Sequence, residues 1–124
     1  MTVMEALLSK LMPGTVLNTP TMGRKFTVES VSPESVTLTL GRGWRTPIPA
    51  ECWNGIPQLL RGEDWIEIGA VHGTSRPGTL KYYIDVFITR SAGNYVAAVL
   101  KQVGIVEIDG RIPCRIRLIG SDFD

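Results

Sequence analysis

At Gly104 the apolar rhythm of the chain changes. Before it, Tyr95, Val96, Val99, Leu100 and Val103 recur at spacings of three and four; after it, "IVEI" and "CRIRLI" alternate around Asp109-Gly110. A helix presents one face when apolar residues recur every three to four positions, and a half-buried strand does so every two. This stretch therefore reads as a helix that ends at a glycine and runs straight into a short hairpin. Gly104 stands where a left-handed terminal residue belongs, with Ile105 placed to pack back on Leu100. Asp109-Gly110 favours a tight turn. Asn94, Ala98, Lys101 and Gln102 fall on the opposite side of the helix and are expected to face mainly solvent.

Upstream, Thr79 is a good N-cap for a helix whose stripe is Leu80, Tyr83, Ile84, Phe87 and Ile88. The polar "TRSAG" follows, in which Ser91 is placed to cap the next helix. "GTSRPG" is a loop, and "WIEIGAV" suits a strand or a helix start equally. In the first half, Val3, Leu7, Leu8 and Leu11 predict a helix over 2–12, stopped by Pro13-Gly14. Phe26, Val28 and Val31, then Val36, Leu38 and Leu40, predict a hairpin turned by "SPES". "GRGWR" is a second turn, and the prolines of "TPIPA" suit an edge strand or none. Over 51–60 the helical spacing is interrupted by Gly55 and Pro57, which predicts a short, imperfect helix. "RGED" is a plausible joint between a helix-plus-β lobe, 1–62, and a second lobe, 63–124; the two could equally form one compact domain.

The chain has 124 residues, enough to bury a core without disulfides or metal, and is 44% hydrophobic. Its formal charge of +1 gives no bulk attraction to nucleic acid or membrane, so any anionic partner must be drawn by local patches. Neither half is a basic arm: six basic residues face four acidic ones up to Gly62, and seven face eight after it. Cys52 and Cys114 are too few for a disulfide framework and lack metal-binding spacing, so both are expected to be free, buried thiols. No long uncharged apolar stretch and no leader pattern is present. A soluble cytoplasmic protein without membrane contact is expected.

Helix, short turn, helix and hairpin follow one another over 79–119, and in this the chain resembles the winged helix-turn-helix superfamily. "YVAAVLKQVGIVEI" is similar to the pattern in which a recognition helix ends at a glycine and turns into the first wing strand. The resemblance covers about the last third of the chain. Together with the helix and hairpin read from spacing in the first half, it gives the expected fold as α+β, an N-terminal helix and small antiparallel sheet packed on a winged-helix-like lobe. It also implies double-stranded DNA as partner, with the second helix of the pair in the major groove and the wing on the backbone or minor groove. Carried over, the recognition helix supplies Arg90, Ser91, Asn94, Lys101 and Gln102, and the wing supplies Arg111, Arg115 and Arg117. The superfamily's first helix is expected before the pair, from 51–60 or from "WIEIGAV".

In that setting Asn94 and Gln102 have the reach for adenine and Arg90 for guanine, while Lys101 and the wing arginines suit phosphates. About three to six phosphate contacts imply weak, salt-sensitive binding unless the protein is a homodimer or part of a larger assembly. Competing readings are structural: Ser91 and Asn94 as helix caps, and a wing arginine pairing across the hairpin with Glu107 or Asp109. "GRGWR" is a second candidate surface, in which Arg42, Trp44 and Arg45 could stack on a base and hold its phosphate. An alternative function is a protein interaction module built on an apolar patch of Tyr82, Trp44 and Trp53. Enzymatic chemistry is not expected. His72 is the only histidine, and nothing in the spacing requires Ser75 and Asp85 to meet it. No cofactor or metal is expected, since the ligands for one are missing.

Overall fold

The computed structural model describes residues 1–69, 76–119 and 123. It has an α+β fold of four helices and two antiparallel sheets. The first helix, α1 (Val3–Lys10), opens with a reciprocal cap: the Glu5 N–H donates to the Thr2 hydroxyl, and the Thr2 N–H donates to the Glu5 carboxylate. A four-stranded meander follows, β1 (Val16–Asn18), β2 (Lys25–Val31), β3 (Ser35–Thr39) and β4 (Arg45–Pro49), paired in chain order. A bulge in β2 between Val28 and Ser30 explains why Val31 falls out of step with Phe26 and Val28.

The prolines of β4 are tolerated because of where they fall. Leu40 N–H donates to the Trp44 carbonyl and Ala50 N–H to the Glu34 carbonyl, so even-numbered residues turn their backbone toward β3. Pro47 and Pro49 occupy outward positions of an edge strand, where no donor is needed. Between β3 and β4, the 3-10 turn Gly41–Gly43 holds Arg42 in the left-handed region at φ 66°.

Helix α2 (Ala50–Leu60) is continuous rather than broken. Cys52, Trp53, Ile56 and Leu60 are all buried, and the Trp53 indole N–H donates to the Ile48 carbonyl. Gly55 is explained by a contact and not by an interruption. Tyr83 lies against the helix backbone there, its hydroxyl donating to the Cys52 carbonyl at 2.6 Å, and a β-carbon on residue 55 would collide with that oxygen. Burial pushes the Tyr83 phenol well up, with the neighbouring Cys52 adding to the shift, and pushes the Cys52 thiol up to about 12. Cys52 and Cys114 are free; Cys114 is only half-buried, contrary to expectation.

"WIEIGAV" resolves into a two-residue strand, β5 (Ile66–Glu67), with Ala70 and Val71 outside the described residues. Thr79 caps α3 (Leu80–Ile84) through the Tyr82 N–H. This helix is shorter than its stripe predicts. After Ile84 the hydrogen bonds tighten, with Val86 N–H donating to Tyr83 and Phe87 N–H to Ile84, across a β-branched stretch of low helix propensity. Helix α4 (Gly93–Gln102) begins after Ala92, which takes the N-cap position expected of Ser91. Its end is as the spacing predicts: Gly104 at φ 80°, Ile105 N–H donating to Leu100 and Gly104 N–H to Lys101.

Strands β6 (Val106–Asp109) and β7 (Arg115–Leu118) pair next, and β7 lies between β6 and β5. Their connection spans 110–114 instead of a two-residue turn. Pro113 has no N–H for the ladder, and the Asp109 carboxylate takes the Arg111 N–H at 3.1 Å. Buried residues from both sheets and all four helices form one core. Among the described residues no helix is long and apolar enough to cross a membrane.

Gly55→Ala is expected to destabilise the fold by about 1–3 kcal/mol, although alanine is the better helix former. In a Tyr83→Phe background the loss should shrink. Equal losses in both backgrounds, measured by urea denaturation, would show that the Tyr83 oxygen is not the obstacle.

Candidate nucleic-acid interface

Three structural facts decide how the sequence-predicted site residues are disposed. The first is that the outward side of α4 is not open along its length. The β1–β2 turn and β1 lie on it: the Thr21 hydroxyl donates to the Asn94 side-chain oxygen at 3.3 Å, and Tyr95 packs edge-on against Phe26 with ring centroids 5.1 Å apart. Ala98, expected toward solvent, is 8% exposed. Asn94 is half-buried and tied to the β1–β2 turn. Lys101 and Gln102, at the last turn, remain exposed and border a groove of about 340 Å³ with Val16, Asn18 and Ile108.

The second is that the hairpin cancels most of its own charge. Arg111 makes a paired contact to Asp109, at 3.0 and 2.8 Å. Arg117 pairs with Glu107, its register partner, reaches toward Asp64, and stacks over Trp65 at 4.5 Å. Arg115 is exposed, with Glu67 and Asp109 as its register partners. Cross-strand pairing, the structural alternative, thus accounts for Arg117.

The third is that two surfaces treated separately in the sequence meet. The Arg90 guanidinium lies 4.4 Å from the centroid of the Trp44 ring, which joins the "GRGWR" turn to the N-terminal end of α4. A groove of about 390 Å³ opens there, walled by Arg24, Arg42, Trp44, Arg90, Ser91 and Tyr95. No carboxylate is among its described lining residues, and none of its three arginines is ion-paired to a described residue. Arg45 takes a different course, bound by Glu29 of β2 at 2.8 Å. Like charges held around a concave wall focus potential there. Such a site can neutralise phosphates and offer an aromatic face to a planar ring.

Arg24 was not legible as a site residue. "GRK" in a turn carries no signal that it will stand beside residue 90, since that proximity is made by packing alone. Trp53 leaves the proposed apolar patch because it is in the core. Asp85 pairs with Lys81 at 2.9 Å, while His72 and Ser75 lie outside the described residues. Among the described residues no three metal-ligating side chains are grouped. The chain matches no protein-family model, no curated protein and no solved structure.

The Asp109 carboxyl is held down at about 2, chiefly by the hydrogen bonds from the Arg111 side chain and backbone. Its folded pKa lies below the ordinary carboxylate value, so the stabilisation from this pair is present above about pH 4 and fades as pH falls toward 2. Arg111→Ala should move the Asp109 midpoint upward in a carboxyl NMR titration. A wild-type midpoint already near 4 would mean that Arg111 is not held by Asp109.

Proposed function

We propose that this protein binds nucleic acid without catalysing a reaction, using the groove at the N-terminal end of α4 as its main contact. The observation that carries the reading is the convergence of Arg24, Arg42 and Arg90 around Trp44 with no carboxylate among the described lining residues. Arginine suits the task because its planar guanidinium forks onto phosphate oxygens and also stacks on rings. The resemblance to winged helix-turn-helix proteins supports the same class of partner. Helix α2 precedes the α3–α4 pair, as that resemblance asks, and β5, β7 and β6 form the accompanying sheet. Two free thiols fit a reducing compartment, and a cytoplasmic regulator or the targeting part of a larger assembly is the role we assign.

With three arginines available the affinity should be modest and strongly salt-dependent. Arg42→Gly is the most informative variant, because glycine accepts the positive φ that arginine holds at a cost of about 1–2 kcal/mol. Lost binding in that variant cannot be ascribed to a weakened fold. Fluorescence anisotropy with labelled mixed-sequence DNA, both duplex and single-stranded, should show binding that weakens with salt. Arg42→Gly and Arg90→Ala should each lower the slope of log K against log salt by about 0.7–0.9, whereas Arg117→Ala should leave it unchanged. Salt-independent binding, or none at low salt, would overturn the proposal.

A second reading is favoured by the exposure of Tyr82, Val86 and Phe87, which cluster on α3 and the turn after it. These side chains suit a protein contact. Light scattering would then show a mass that rises with concentration and falls back on Val86→Lys; a constant monomer mass would exclude self-assembly through this face.

A further inference from the structure

We infer that the nucleic acid taken by this groove is an unpaired strand, whose base stacks on the exposed ring of Trp44; this rests on the nucleic-acid reading above. A duplex reader must lay a protruding element along base edges. Helix α4 is the element in that position, and much of its outward side is occupied, by Thr21 on Asn94 and by β1 over Ala98, which leaves Lys101 and Gln102 exposed at its last turn. The hairpin offers little help, because Arg111 and Arg117 are already held by carboxylates.

The groove has the opposite character. It is concave, about 390 Å³, and therefore of the size that encloses a small planar group. Trp44 is 52% exposed, and Arg90 is stacked over its ring. A base within a duplex has both faces covered by its neighbours and cannot reach such a platform, whereas an unstacked base can. Arg24 and Arg42 stand on the same walls, placed to take the flanking phosphates. Because every base has a π face, the site should tolerate many sequences. The chemistry is common to single-stranded DNA and RNA.

Anisotropy with labelled oligo(dT) and oligo(U) of about 15 nucleotides, and with a mixed-sequence single strand and its duplex, tests this on the wild type, Trp44→Ala and Trp44→Phe. Single strands should bind more tightly than the duplex. Trp44→Ala should weaken single-strand binding about tenfold and duplex binding much less, and Trp44→Phe should restore most of the loss. The tighter of oligo(dT) and oligo(U) names the source of the strand. Thermal melts of the variants should match the wild type, because Trp44 lies outside the core. Duplex binding as tight as single-strand binding, or indifference to Trp44→Ala, would overturn the inference while leaving salt-dependent nucleic-acid binding intact. Binding to none of the probes would overturn both.

Discussion

The burial of helix α2 is the constraint on which the rest of the molecule depends. Trp53 stands in the core with its indole N–H satisfied by Ile48 at the end of the first sheet, and Ile56 and Leu60 are buried in the same core. Asn54 of this helix accepts the Met4 N–H of α1, and the Cys52 carbonyl accepts the Tyr83 hydroxyl of α3. One helix therefore holds the N-terminal helix, the meander and the helix pair together. Removing so large a buried ring costs about 3–5 kcal/mol in a typical core, a large share of what a domain of this size has. The disposition of Trp44 and Arg42 relative to Arg90 follows from this packing.

Charge is distributed by the same arrangement. The chain is almost neutral, so a surface that attracts anions has to arise from segregation rather than excess. Register does part of the sorting: Glu107 faces Arg117, and Asp109 both faces Arg115 and grips Arg111. Along the meander, Glu29 removes Arg45. Among the cations left without such a partner, Arg24, Arg42 and Arg90 gather at one groove, drawn from a turn, a 3-10 turn and the approach to α4. Exposed pairs such as Arg45–Glu29 add little stability, but they decide which cations remain available.

Much of the fold was legible in local pattern. The helix stop at Gly104, the Thr79 cap and the β2–β3 hairpin each follow from chemistry within a few residues, whereas β1 carried no signal and the prolines left β4 open between an edge strand and none. Most of the errors have a common physical cause, since they needed knowledge of a distant partner. Gly55 looked like a helix breaker because Tyr83 is 28 positions away. Ala98 and Asn94 looked solvent-facing because nothing in α4 announces that β1 will cover it. The 110–114 connection lengthened through Pro113 and the Asp109 carboxylate, although Asp-Gly alone favours two residues.

By itself the sequence determined an α+β chain with a helix pair and hairpin at its C-terminal end, because periodicity and capping act over one or two turns of chain. It also determined that any attraction for anions would be local, because the total charge is close to zero. Only the tertiary structure decided which arginines remain accessible and what stands beside them. Pairing across strands and packing between lobes join residues 24, 42, 44 and 90, and no short-range rule relates positions so far apart.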